Sequence, residues 1–222
     1  MARILVLSPH PDDETIGCGG TLCSHVASGD EIRVVFLTSG ELGGHGLSPD
    51  ATRRLRESEA TAAARILGVA DWEFWHAPDG RLRASDSVVR RLIGLLRHWR
   101  PQFIYTTHGG EMHPDHRAAP RILRRALATA RIARPKVYLF EIWTPLAKMD
   151  FIVDISPWIE IKLRAVRAYK SQCSVLRFDE AVAGLNRYRG EMHSWPGGAY
   201  AEVFAEMRLL HEGGGARLRA NG

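Results

Sequence analysis

The sequence predicts an α/β fold, a Rossmann-like, doubly wound and mostly parallel sheet flanked by helices, with a strand order of about 3-2-1-4-5. Short apolar runs alternate with longer amphipathic segments, as in β-α-β units. The first run, Arg3–Leu7, shows no polar alternation, which is typical of a parallel strand buried on both faces. We expect a single domain over residues 1–222, with a flexible tail at about 212–222.

The predicted strands are short apolar runs that end at residues unsuited to a central strand. Pro9 and Pro11 follow the first run, and Ser39–Gly40 follows the second. In chain order, the predicted strands are Arg3–Leu7, Glu31–Thr38, Trp72–Trp75, Gln102–Thr106, Lys136–Phe140 and Phe151–Ile155. Tyr200–Leu210 is ambiguous between strand and helix.

The predicted helices carry apolar side chains at helical spacing and recognisable end signals. Ser48-Pro49 and Ser156-Pro157 each combine an N-cap side chain with a proline at the first helical position. Gly68 ends the second helix. The predicted helices are Gly17–Gly29, Ser48–Leu67, Ser85–Arg100, a segment spanning Ala119–Ala130, Ser156–Lys170 and Asp179–Arg189.

Composition narrows the class of protein. Hydrophobic residues make up 45% and charged residues 25%, as in an ordinary globular protein, and no apolar run approaches the roughly 20 residues of a membrane span. Three cysteines without a CxxC pair, and no leader-like segment, favour a cytoplasmic location without stable membrane insertion. The net charge of +5 lies largely in arginines on predicted helices, without a nucleic-acid reader motif, so we expect no nucleic-acid partner.

A first polar cluster follows the first strand, where His10, Asp12, Asp13 and Glu14 fall within five residues. Carboxylates this close repel one another unless a positive charge lies among them. A divalent cation bound by His10 and one carboxylate satisfies that requirement. The alternative is an aspartate N-cap on the next helix beside a solvated histidine.

A second polar cluster, Thr107–His116, follows the fourth strand. In a doubly wound sheet of this order the first and fourth strands are neighbours, and ligands bind beyond their carboxyl ends. We therefore expect the two clusters to meet. Our hypothesis is that His10, Asp13 and His116 bind one Zn²⁺ and leave an open position for water, because an open site marks a catalytic zinc.

The remaining members of the clusters suit the chemistry of amide or ester hydrolysis. Asp12 adjoins a predicted ligand and can serve as the general base for water. His113 can approach from the opposite side, to stabilise an oxyanion or protonate a leaving amine, with Asp115 holding its tautomer. Glu59 falls on the apolar face of its helix, either in a local pair with Arg56 or reaching toward the pocket.

These motifs resemble the PIG-L/LmbE family of zinc-dependent N-deacetylases. Pro9–Glu14 with the glycines of Gly17–Gly20 looks like the first family motif, and His113–His116 looks like the second. The resemblance implies the same zinc ligands, base and acid as inferred above, and it adds Arg56 as a substrate contact. We expect further substrate contacts from Glu14 and Glu59.

The family's reaction is removal of acetyl from an N-acetylglucosamine unit, so the resemblance implies a catalytic domain acting on a small N-acetylated amino-sugar conjugate with one zinc per chain. Two other functions stay open from the residues: a phosphoesterase with two metals, or a sugar-binding α/β protein without turnover. The loop Gly40–Pro49 and the segment Trp143–Asp150 are expected to shape the pocket for the sugar's partner. Neither that partner nor the formation of a homo-oligomer can be read from the sequence.

Overall fold

The computed structural model describes residues 1–193 and 198–208, in which seven strands form one sheet. The strands are β1 Arg3–Ser8, β2 Glu31–Phe36, β3 Asp71–Phe74, β4 Phe103–Thr107, β5 Lys136–Phe140, β6 Phe151–Asp154 and β7 Ala201–Glu206. Their order is β3-β2-β1-β4-β5-β7-β6. The predicted α/β class and the order 3-2-1-4-5 are confirmed, and β7 and β6 extend the sheet in antiparallel pairs beyond β5.

The helices are α1 Asp13–Ala27, α2 Pro49–Leu67, α3 Asp86–Trp99, α4 Pro114–Ala130, α5 Ile159–Ala168, α6 Lys170–Cys173 and α7 Phe178–His193. The predicted N-caps of α2 and α3 are confirmed, because the hydroxyls of Ser48 and Ser85 accept hydrogen bonds from the N–H groups of Ala51 and Val88. The predicted tail at 212–222 lies outside the described residues.

Two helix starts differ from the prediction. Helix α1 begins at Asp13 rather than Gly17, because Asp13 and Glu14 occupy its first turn, where acidic side chains favour the helix dipole. Helix α5 begins at Ile159, three residues after the predicted cap. The hydroxyl of Ser156 instead accepts a hydrogen bond from the N–H of Tyr200, which ties this segment to the start of β7.

Two apolar layers pack on opposite faces of the sheet. Ile4 and Val6 lie in the layer with α1, α2 and α5, whereas Leu5 and Leu7 lie in the layer with α3 and α4. All four side chains are fully buried, as expected for a strand covered on both faces. Among the described residues, no helix has the length and apolar character needed to cross a bilayer.

The position of the two polar clusters follows from the central strand pairs. Strand β1 pairs in parallel with β4, and Leu7 lies opposite Thr106 near the carboxyl ends of both. The turns that follow therefore leave the sheet side by side. Helix α1 also packs closely: a Cβ atom added at Gly17 would collide with the ring of Phe140, and one at Gly20 with Ile155.

Candidate active site

The turn after β1 brings His10 and Asp13 into contact with each other. The hydroxyl of Ser8 donates to the carbonyl of His10 at 2.7 Å, and the carboxylate of Asp13 accepts from the His10 N–H at 2.9 Å. His10 is only 7% exposed. The alternative of a solvated histidine beside a capping aspartate is therefore wrong, and the side chain of Asp12, the N-cap residue, makes no capping hydrogen bond.

The three predicted metal ligands converge. His10 Nδ1 lies 3.2 Å from His116 Nε2 and 3.2 Å from Asp13 Oδ2, and His116 Nε2 lies 3.2 Å from Asp13 Oδ1. Ligand atoms about 2.1 Å from a tetrahedral zinc stand about 3.4 Å apart. The separations in this protein match that spacing, so the donor set fits a single divalent cation.

The second nitrogen of each of these imidazoles faces a carboxylate. His10 Nε2 lies 3.0 Å from Asp79 Oδ1 and 3.4 Å from Asp115 Oδ2. His116 Nδ1 is buried without a hydrogen-bond partner among the described residues, and Glu111 Oε2 is the carboxylate oxygen facing it at 3.5 Å. Such outer carboxylates hold the proton on the far nitrogen and turn the lone pair of the near nitrogen toward a metal.

The raised pKa values of the two histidines indicate that this group of side chains favours positive charge. Burial alone would lower the pKa of His10, yet its hydrogen bonds to Asp115, Asp13 and Asp79 hold that pKa well above the usual value. Burial likewise opposes a charged His116, but the Asp13 charge raises the pKa of His116 to about 9. The carboxylates around the two imidazoles therefore favour positive charge between them, which protons supply when no cation is bound and which a bound cation replaces.

Asp12 lies at the edge of this group in a strained conformation. Its φ angle is 122°, in the region that L-residues rarely adopt. Its carboxylate accepts from Arg56 Nη2 at 2.9 Å, and its N–H donates to Glu14 at 3.2 Å. Burial raises the pKa of Asp12 to about 7 although the Arg56 charge opposes the shift, so this carboxyl is poised to exchange a proton near neutrality.

Arg56 connects three segments around the site. Its guanidinium donates to the carbonyls of Gly40 and Pro11 as well as to Asp12. Gly40, at φ 61°, has no room for a Cβ atom beside this guanidinium. Arg56 also lines the cavity of the site, so the predicted substrate contact stays a prediction compatible with its position.

Glu59 and Glu14 are placed differently from what was predicted. Glu59 forms no pair with Arg56; it accepts from the N–H and hydroxyl of Ser171 at 2.7 and 2.6 Å and so ties α2 to α6. Glu14 is buried beneath the turn and accepts from Thr15 and from Tyr169. Neither glutamate is among the residues that line the cavity. Their positions favour structural roles over the predicted substrate contacts.

His113 and Asp115 are neighbours in the site, but their contact differs from the expected one. The backbone N–H of Asp115 donates to His113 Nδ1 at 3.3 Å, in place of the expected hydrogen bond from the imidazole to the Asp115 carboxylate. The Asp115 carboxylate accepts from the N–H groups of Gly80 and Leu82 instead. Because Nδ1 accepts, neutral His113 carries its proton on Nε2. Burial lowers the pKa of His113, which favours this neutral donor form.

These side chains open into a cavity of about 310 Å³. It is lined by His10, Asp12, Asp13, Leu42, Gly43, His45, Arg56, Asp79, Gly80, His113, His116, Trp143, Gln172, Val175, Leu176 and Phe178. Leu42, Gly43 and His45 come from the loop Gly40–Pro49, so that loop shapes the cavity.

Sequence reasoning missed Asp79 and Glu111, two of the three outer carboxylates. Asp79 follows β3 within the turn Pro78–Gly80, and Glu111 lies inside the second polar cluster. The available signal was position, because both residues follow the carboxyl end of a parallel strand of the sheet.

Comparison with known proteins agrees with this geometry. The sequence matches the family described as PIG-L, GlcNAc-PI de-N-acetylase, over residues 5–127, more than half of the chain. A 1D-myo-inositol 2-acetamido-2-deoxy-alpha-D-glucopyranoside deacetylase of Geodermatophilus obscurus is 35% identical over 58% of this chain. The chain spans about half of that relative, 53% of its length.

Two further proteins are matched over more of their length. A diacetylchitobiose deacetylase of Thermococcus kodakarensis is 32% identical over 77% of this chain and 70% of its own. The solved structure of N,N'-diacetylchitobiose deacetylase from Pyrococcus horikoshii is similar with a TM-score of 0.83 at 26% identity, covering 93% of this chain and 84% of that one. The family match, the similarity to these deacetylases and the positions of the two motifs in the structure agree with one another. The chain therefore belongs to the PIG-L family.

Proposed function

We propose that this chain is a zinc-dependent hydrolase that removes the N-acetyl group from an N-acetylglucosamine-containing conjugate, releasing acetate and a free amine. The observation that carries the proposal is the meeting of His10, Asp13 and His116 beside Asp12 in one cavity. The deacetylases named among its relatives support the same reaction. The proposal treats the chain as a single catalytic domain.

Zinc is the metal that this donor set favours. Two imidazole nitrogens and one carboxylate suit Zn²⁺ and leave a coordination position open. When bound, such a metal polarises the acyl oxygen and lowers the pKa of water. His10 and His116 would hold it with Asp13, while Asp79 and Glu111 orient the two imidazoles.

Asp12 is proposed as the proton carrier of the reaction. Its carboxylate takes a proton from the water as the oxygen–carbon bond forms. The carbon–nitrogen bond of the amide then breaks, and the same proton passes to the departing nitrogen to give the amine. Arg56 holds the Asp12 carboxylate in place during both transfers, through the hydrogen bond at 2.9 Å.

His113 is proposed to stabilise the acyl oxygen. The backbone N–H of Asp115 occupies its Nδ1, so Nε2–H is available as a donor, and His113 lines the cavity. A donor fixed before the reaction begins stabilises the negative charge that develops on the oxygen in the transition state.

A phosphoesterase with two metals is the second candidate, because His10, Asp79 and Asp115 form another group of closely spaced donor atoms. The hydrogen bonds of this group argue against a second metal. Both oxygens of Asp115 accept from backbone N–H groups, and Asp79 Oδ2 accepts from the N–H of Leu42. These oxygens are already satisfied, so the geometry favours one metal.

The test is a screen of N-acetylglucosamine conjugates with zinc added and with a chelator, reading amine release alongside metal content per chain. We expect about one zinc per chain and amine release that the chelator abolishes. Two metals with phosphoester cleavage would support the second candidate. Full zinc loading without amine release would support a sugar-binding protein.

The free cysteines Cys18, Cys23 and Cys173 support our further proposal of a cytoplasmic location.

A further inference from the structure

A second cavity of about 240 Å³ adjoins the catalytic cavity. Trp143 and Phe178 line both cavities, so these two rings form the boundary between them. The second cavity therefore begins at the wall where the catalytic cavity ends.

The wall of the second cavity is apolar. Its apolar side chains include Ile16, Met112, Ile142, Val182, Leu185 and Val203. A cavity of this lining gains free energy by burying hydrocarbon and offers little to a ligand that carries hydroxyl groups.

Three polar side chains also line this cavity, and each is already engaged within the protein. Glu141 accepts from Arg189 and from the N–H of Leu146. Asn186 bonds Lys162 and the carbonyl of Ala201.

Glu202, the third of them, uses both of its oxygens. One accepts from Lys162 and the N–H of Gly20, and the other accepts from the N–H and hydroxyl of Thr21. A hydroxyl-rich group, such as a second sugar, would therefore lose hydrogen bonds to water in this cavity without regaining them.

The rim of the two cavities is apolar as well. Trp143 is 49%, Met112 63%, Val175 49% and Leu176 49% exposed, and each lines at least one of the two cavities. Exposed large apolar side chains gathered at one mouth are typical of a binding surface.

The backbone at Trp143 is held in place by Glu111, one of the carboxylates beside the predicted metal ligands. The carboxylate of Glu111 accepts from the backbone N–H groups of Ile142, Trp143 and Thr144. These three N–H groups follow directly after β5, which ends at Phe140. The same carboxylate faces His116 Nδ1, so the apolar wall has a fixed distance from the reacting centre.

We propose that the second cavity binds a hydrocarbon substituent of the substrate, an alkyl chain or an aromatic ring. The substituent is carried either by the aglycone of the amino sugar or by its N-acyl group. This inference rests on the proposed hydrolase function for its setting. It adds that the substrate is amphipathic, with a polar sugar at the metal ligands and an apolar group behind Trp143.

The experiment compares two substrate series in the zinc-loaded enzyme. The first consists of the methyl, butyl and hexyl glycosides of N-acetylglucosamine; the second consists of methyl glucosaminide carrying N-acetyl, N-butyryl and N-hexanoyl groups. We expect kcat/KM to rise about tenfold or more along one series, because each buried methylene adds to binding. The series that responds identifies the source of the hydrocarbon, and flat profiles in both would overturn the proposal.

Variants connect any such preference to the cavity. Ala181→Trp fills the second cavity from an exposed position on α7, and Leu185→Gln makes its wall polar without changing its size greatly. Ala128→Trp, at an exposed alanine of α4 away from both cavities, is the matched control. We expect the first two variants to lose the chain-length preference while their turnover of the N-acetyl methyl glycoside stays unchanged. The control variant should keep both the preference and the turnover. Equal loss in the control would contradict the proposal.

Calorimetric binding of the shortest and longest members of both series separates this inference from the proposed function. Tighter binding of the longest member of either series, abolished by Ala181→Trp, would support the cavity assignment even if no substrate were hydrolysed. Equal affinity of the shortest and longest members within both series would refute the assignment even if all of them were hydrolysed.

Discussion

Two polar clusters of this protein are similarly buried, but only one of them contains its own cation. The structural cluster consists of Lys162, Glu202 and Asn186, and the metal-site cluster consists of His10, Asp13 and His116. Lys162 is 0% and Glu202 1% exposed, and Asp13 and His116 are each 2% exposed. The structural cluster contains its own cation, because Lys162 Nζ donates to Glu202 at 2.6 Å and to Asn186 at 2.8 Å.

The metal-site cluster lacks such a cation of its own. The guanidinium of Arg56, which lines the same cavity, is engaged by Asp12 and by two backbone carbonyls. Protons on the imidazoles balance the Asp13 charge until a metal replaces them. The comparison shows that burial of charge does not by itself mark a functional site. A buried set of donor atoms whose charge is balanced only by exchangeable protons is a better indicator of a functional site.

The largest expected effect comes from separating the roles of the two adjacent aspartates. Asp12→Asn, which also tolerates the left-handed backbone, should retain zinc and lower kcat by about 10²- to 10⁴-fold, because the proton acceptor is removed. Asp13→Asn should lose zinc. Metal content by atomic absorption and steady-state rates distinguish the two, and zinc loss in Asp12→Asn would reverse the assignment of ligand and base.

The next effect concerns the structural cluster. Lys162→Met leaves Glu202 buried without its counter-charge and should lower the free energy of unfolding by about 3–5 kcal/mol, measured by urea denaturation of the metal-free protein. The double variant Lys162→Met/Glu202→Gln is the matched control and should recover part of the loss. A loss that the second substitution does not reduce would mean that packing of the lysine stem, rather than charge, holds this cluster together.

The smallest effect tests an outer carboxylate of the metal site. Asp79→Asn should weaken zinc binding by about 10- to 100-fold, because His10 Nε2 loses the charged acceptor that orients its ring. A competition titration with a chromogenic chelator measures this affinity. Asp71→Asn removes a carboxylate from the opposite end of β3, where it pairs with Arg33, and should leave zinc affinity unchanged. Equal weakening in both variants would remove Asp79 from the site.

The sequence by itself determined the sheet order at its centre and the meeting of the two polar clusters. Both follow from short-range pattern. Arg3–Leu7 is apolar on both faces, prolines stop the strand at a fixed point, and parallel strands place their following turns at one edge. His10, Asp13 and His116 could be grouped on that basis because each lies in the polar segment that follows a central strand.

Only the tertiary structure decided which group of each residue meets which partner. Glu59 turned to Ser171 rather than Arg56, and the backbone N–H of Asp115 rather than its carboxylate reached His113. Asp79 and Glu111 joined the site from separate loops. The reason is that a hydrogen bond depends on positions within a few tenths of an ångström. Those positions are set by packing among segments far apart in the chain, which no local pattern encodes.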